Sequence, residues 1–134
     1  MSPVWVPSNA VVAIHQALLQ EHGGLIGPPR PDSLEAALAR PQQLQQLHHY
    51  IDPKPSLPRL AAAYGFAIAR GHCFSDGNKR LALAIIDVFL QLNALELVAS
   101  EPDSVVTMQS LAAGKISEED LAVWIANNAQ PLAQ

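Results

Sequence analysis

From residue 77 to residue 93 the chain carries Leu81, Leu83, Ile85, Ile86, Val88, Phe89, Leu90 and Leu92. On a helix these apolar positions point in nearly every direction, leaving no face for water, so other elements must surround the segment. The stretch predicts a central buried helix and therefore an all-α fold, a compact bundle packed around it. Asp87 and Gln91 interrupt it, and it falls far short of the roughly 20 apolar residues that a membrane span needs.

Helical period continues on both sides. Ser8 precedes Val11, Val12, Ile14, Leu18 and Leu19 at helical spacing, and Gly23 and Gly24 end that run. Asp32 and Glu35 form a capping-box pattern for a second helix to about Arg40, with Pro41 as its stop and room for one or two turns over 42–48. Residues 49–58 hold three prolines and no helical period, which predicts a loop or a short extended hairpin. Ser56 then caps a helix over 57–70, with Pro58 in its first turn and Gly71 at its end. Two more helices are expected over 104–113, closed by Gly114, and over 118–128, opened by the capping box of Ser117 and Asp120. The sum is about six helices in one domain over 1–134.

Hydrophobic residues make up 49% of the chain and charged residues 15%, the reverse of what a disordered chain needs. A formal charge of −4 disfavours direct nucleic-acid binding, which rests on neutralising phosphates. The one cysteine, Cys73, excludes an internal disulfide and a Cys-rich zinc module. The first residues show no basic region followed by an apolar block and a small-residue cleavage site. A cytoplasmic protein with no membrane association is expected.

The chemistry concentrates in His72-Cys-Phe-Ser-Asp-Gly-Asn-Lys-Arg80, between two helices. A helix N-terminus presents unpaired N–H groups and partial positive charge, and Gly77 at its mouth lets a ligand approach the backbone. Asn78, Lys79 and Arg80 add donors in the first turn, and Arg70 adds a cation upstream. That cradle suits phosphate groups in an otherwise acidic chain. Asp76, a carboxylate among cations, is a candidate Mg²⁺ ligand. His72 is a candidate general base toward a hydroxyl. Together they predict transfer of a phosphorus-containing group from a nucleotide to a hydroxyl.

The loop HCFSDGNKR resembles the signature of the Fic/Doc family, H-x-F-x-D/E-G-N-G/K-R, with seven specified positions in nine residues. IHQALLQEHGGLIG, SLEAALARPQ, AIARGH, LQLNALEL and LAAGKISEEDLAVWI are similar to the death-on-curing branch of that family. The resemblance implies an all-α Fic/Doc-like fold, His72 as general base, Asp76 holding Mg²⁺, and Gly77, Asn78 and Arg80 on the phosphates of ATP. Members that transfer AMP have Gly after the Asn and a second Arg after the motif; here Lys79 and Leu83 stand instead, as in the death-on-curing toxin. In that branch the nucleotide binds reversed and the γ-phosphoryl group passes to a threonine of elongation factor Tu, arresting translation. A kinase-like toxin is therefore the leading expectation, with an AMP transferase and a non-catalytic antitoxin-binding protein as alternatives. The family places a target-binding flap where residues 49–58 fall. Its inhibitory S/T-x-x-x-E-G/N segment does not occur here, which implies an antitoxin protein acting in trans.

Other residues carry plainer expectations. His15, His22, His48 and His49 lack the converging ligands that a metal needs. Cys73 reads as structural. Arg70 could equally complement its helix C-terminus, and Asp87 could face solvent or pair with an arginine.

Overall fold

The computed structural model describes residues 2–48 and 54–133. In chain order the elements are α1 (Ser8–His22), α2 (Pro31–Leu47), α3 (Leu57–Arg70), α4 (Asn78–Leu92), β1 (Leu95–Leu97), α5 (Glu101–Ala112), α6 (Glu118–Asn128) and β2 (Ala129–Pro131). This is the expected all-α class, with six helices and one small antiparallel ribbon among the described residues. None of these helices is long and apolar enough to cross a membrane. Of the expected irregular stretch 49–58, residues 49–53 lie outside the described residues, and 54–56 carry no regular structure.

The central position is shared by two helices. α4 buries Leu81, Ala82, Ile85, Ile86, Phe89 and Leu90 along one stripe, whereas Leu83 and Val88 are half-buried and Leu92 is exposed, so the helix is central but, against the expectation from its apolar pattern, keeps a face toward solvent. α3 is buried continuously from Leu60 to Gly65 and contacts α2, α4, α5 and α6. Small side chains make that possible. A Cβ on Gly65 would lie 2.5 Å from Cδ1 of Ile86, so the two helices approach closely only with glycine there. Tyr64, Phe89 and Trp5 form an aromatic cluster at the far end, with Tyr64 and Phe89 centroids 5.1 Å apart.

Caps explain most boundaries. Ser56 Oγ accepts the N–H of Arg59 at the start of α3, and Ser117 and Asp120 close the reciprocal capping box of α6 at 3.0 Å each. α5 begins earlier than expected because Ser100, not Ser104, is its cap and Pro102 fits the first turn. Ser104 is instead buried inside α5 and donates to the carbonyl of Ser100 at 2.9 Å.

Two expectations about α2 are corrected. The Asp32–Glu35 capping box does not form; Pro31 sets helical φ one residue earlier, so Asp32 already lies in the first turn. Nor does Pro41 end the helix, which continues to Leu47. Proline there removes one backbone bond, but Pro41 is buried with Leu34, Ala37 and Leu38. Beside it, Arg40 is clamped to Glu118 of α6. Packing on one face and an ion pair on the other outweigh the lost bond, whose cost is about 3 kcal/mol.

The ribbon was not visible in the sequence. Leu95, Glu96 and Leu97 pair with Pro131, Gln130 and Ala129. Asp87 anchors it: Oδ1 accepts the N–H of Leu97 at 3.0 Å, and Oδ2 accepts from Gln91 at 2.9 Å. Asp87 thus pairs with backbone and an amide rather than with an arginine.

Candidate active site

The signature loop runs from the C-terminus of α3 to the N-terminus of α4, and its backbone is held almost residue by residue. His72 opens it in the left-handed region at φ 52°, exposed to solvent. Cys73 and Phe74 turn inward and are buried. The Cys73 thiol donates to the carbonyl of Ser33 at 3.6 Å, and burial pushes its pKa up, away from a reactive thiolate. Asn78, one residue into α4, reaches back to the loop. Its Oδ1 accepts the N–H of Phe74 at 3.0 Å and its Nδ2 donates to the Phe74 carbonyl at 2.8 Å.

Two residues that the sequence did not single out complete the scaffold. Arg30, at the cap of α2, donates its backbone N–H to Cys73 O at 2.7 Å, and its guanidinium donates to the carbonyls of His72 and Phe74. His15, on the buried face of α1, bonds through Nε2 to the carbonyl of Asp76 at 2.8 Å and stacks on Phe74 at 3.6 Å between centroids. Arg30 leaves no signal in the sequence. His15 leaves one: it lies four residues from Val11 and from Leu19, both core positions, and a buried polar side chain needs a partner.

Asp76 closes the loop. Its Oδ1 accepts the N–H of Gly77 at 2.8 Å and its Oδ2 the N–H of Leu25 at 3.0 Å. Those two bonds, first Leu25 and then Gly77, hold its carboxyl below the ordinary 3.8, with Arg80 adding in the same direction. The carboxylate is therefore ionised at neutral pH. Gly77 follows at φ 79°, a left-handed position that glycine takes without strain, and its placement starts α4 with its first-turn N–H groups directed out of the helix end.

A cleft of about 310 Å³ opens at this helix end. Asp76, Gly77, Asn78, Lys79, Arg80 and Leu83 line one wall, and Ser104, Val105, Met108 and Gln109 of α5 line the other. Of the residues expected to bind phosphate, Gly77, Asn78, Lys79 and Arg80 line this one cleft, with two qualifications of geometry. The side chain of Asn78 is engaged with Phe74, so what it presents to the cleft is mainly backbone. Arg70 lies elsewhere: its guanidinium sits 5.3 Å from the centroid of Phe66 and lines a second cleft with Arg40 and Lys115. The helix phase places Arg70 one turn after Phe66, which favours that stacking. His72 stands outside the walls of the first cleft, on the solvent side.

No group of three or more His, Cys, Asp or Glu side chains that could hold a metal occurs among the described residues. One ionised carboxylate beside an anion cradle is the donor set of a hard divalent ion that completes its coordination with phosphate oxygens and water. Asp76 fits that description, since each of its oxygens keeps a lone pair beyond the one that accepts an N–H.

The sequence model of the Fic/DOC family matches residues 5–90, and the chain belongs to that family, in its Doc branch. It is similar to the protein named "Protein kinase doc" of Escherichia phage P1, 34% identical over 117 residues that cover 87% of this chain and 89% of that protein. It is also similar to "Toxin Doc" of Mycolicibacterium smegmatis, 42% identical over 66 residues, about half of each chain.

Proposed function

We propose that this chain is the toxin of a toxin–antitoxin module and acts as a protein kinase on a translation elongation factor, EF-Tu or a protein like it. The observation that carries the reading is the composition of the cleft: Lys79 and Leu83 line it together with Arg80, Asp76 and the α4 N-terminus. Similarity to a protein named as a kinase supports the same reading.

The division of labour follows from position. Lys79, Arg80 and the first-turn N–H groups of α4 bind phosphate oxygens, three kinds of donor converging on one helix end. Asp76 would hold Mg²⁺, which would supply charge neutralisation on the phosphates when bound. Leu83 on one wall and Met108 on the other give the cleft apolar surface against which the rest of the nucleotide can lie. His72, exposed at the edge of the loop, takes the proton from the attacking hydroxyl. The oxygen of that hydroxyl, on a threonine of the target, forms the new bond to the γ-phosphorus, and ADP leaves. An exposed base outside the cleft suits a substrate that is itself a protein, since the hydroxyl arrives from solvent while the nucleotide fills the cleft. An antitoxin supplied in trans would restrain the activity.

The experiment is one reaction with purified protein, Mg²⁺, cell extract and ATP labelled at the α or the γ position. Label carried from γ alone supports the kinase reading. Label carried from α makes the chain an AMP transferase, and no label from either, with growth inhibition intact in His72→Ala, makes it a non-catalytic partner of its antitoxin.

A further inference from the structure

We propose that His15 is a positioning residue that locks the peptide between Asp76 and Gly77, and through it holds the carboxylate of Asp76 in front of the α4 N-terminus. The proposal rests on the reading of Asp76 as the metal-holding carboxylate.

Both ends of that peptide are bonded. Its carbonyl oxygen can only accept, so Nε2 of His15, 2.8 Å away, carries the proton. Its N–H, on Gly77, donates to Oδ1 of Asp76 at 2.8 Å. The peptide plane is therefore pinned by α1 on one side and by the carboxylate it positions on the other. A lock is needed here because Gly77 follows at φ 79° with no Cβ, so this peptide can turn over against little steric resistance. Turned over, it would aim a carbonyl oxygen at the carboxylate of Asp76 in place of an N–H. Two oxygens would then repel each other, and Asp76 would leave its place at the cleft.

The histidine itself cannot move far. It is 1% exposed and its ring lies within 18° of parallel to Phe74, whose own N–H and C=O are held by Asn78. The ring also packs on Gly77, where a Cβ would meet Nε2 at 3.5 Å. A leucine or phenylalanine would fill this core position with no polar atom to satisfy. The polar atom it does have is aimed at the loop carbonyl.

The test uses the full-length chain, ¹⁵N-labelled, with amide exchange at Gly77 and broadening of the Gly77 resonance by Mn²⁺ as readouts. His15→Phe keeps a ring and removes the donor. We expect exchange at Gly77 about ten-fold faster and an Mn²⁺ requirement about ten-fold higher, the effect of one lost hydrogen bond, with the thermal melt of the whole chain little changed. His15→Gln restores an amide donor at similar reach and should recover both readouts to within about three-fold. Parent-like exchange and Mn²⁺ response in His15→Phe would overturn the proposal, and so would equal impairment in both variants. If Mn²⁺ broadens nothing in the parent protein, the metal reading of Asp76 fails, while exchange at Gly77 still decides whether His15 is the lock. If His15→Phe does not fold, retained Gly77 protection in His15→Gln supports the proposal and lost protection overturns it.

Discussion

Asn78 and Phe74 are joined by two hydrogen bonds between one side-chain amide and one residue's backbone, 3.0 Å from the Phe74 N–H and 2.8 Å to its C=O. The pair closes the loop onto the first turn of α4, so the shape of the cradle depends on an amide with both a donor and an acceptor. Asn78→Asp keeps the acceptor and loses the donor, while Asn78→Ala loses both. Each lost bond is worth about 0.5–1.5 kcal/mol, so Asn78→Ala should lower unfolding free energy by about 1–3 kcal/mol and Asn78→Asp by less. Urea melts of the three proteins check the order, and equal stability of all three would contradict it.

His72 and Arg80 should separate in their kinetics. A base acts on the proton moved during reaction, so His72→Ala should lower turnover by roughly 10²–10⁴ while nucleotide affinity stays near that of the parent. Arg80→Ala removes the cation proposed to contact phosphate and should weaken nucleotide binding instead. Calorimetric titration with a non-hydrolysable ATP analogue, alongside turnover, distinguishes the two. Equal loss of affinity in both variants would show that the roles are wrongly divided.

Glu118 holds three helices together. The carboxylate is 4% exposed and accepts from Arg40 of α2 at 2.9 and 3.0 Å and from Arg59 of α3 at 3.0 Å. The same ion pair raises the pKa of Arg40 through its bond to Glu118. Removing one partner of such a network strands the others, at a cost of about 3–5 kcal/mol when the group is buried. Arg40 is partly exposed and can rehydrate, so about 2–4 kcal/mol is expected for Glu118→Ala. A denaturation midpoint unchanged from the parent would rule this out.

Acid should loosen the loop where Asp76 anchors it. The folded-state pKa of Asp76 is depressed by the N–H groups of Leu25 and Gly77, so the carboxylate contributes its anchoring above the ordinary carboxylate pKa of 3.8. That contribution falls away as pH drops through the lowered folded value. Amide exchange at Leu25, followed from pH 7 downward with correction for intrinsic rates, should show protection retained at pH 5 and lost in the acid range. Loss of protection already near neutral pH would contradict the assignment.

Much of this architecture was legible because its signals are local. The caps Ser56, Ser117 and Asp120 and the stop at Gly23 mark helix ends within a few residues of chain, and α1, α3 and α6 fall where those signals place them. The start and stop of α2 were misplaced because Pro41 is tolerated only through packing that the sequence does not display, and because Pro31 overrides Asp32. Three-residue strands are too short to show alternation, so β1 and β2 left no trace. The same division holds at the site. The nine-residue loop announces its cations, its carboxylate and its glycine. The structure adds that Arg70 turns to Phe66 and that Asn78 serves Phe74. It also adds His15 and Arg30, whose partners are backbone carbonyls more than 40 positions along the chain.

Those distant carbonyl partners decide how portable the signature is. Transplanting residues 72–80 between two helices of another protein would carry over every group that names the chemistry and none of the struts at positions 15 and 30 that hold it open. Such a graft would read as the motif and behave as a floppy linker. The unit that shapes the loop is the first 80 or so residues taken together, with the entry to α2 and the buried face of α1 as much a part of it as the histidine, and α5 adds the facing wall of the cleft.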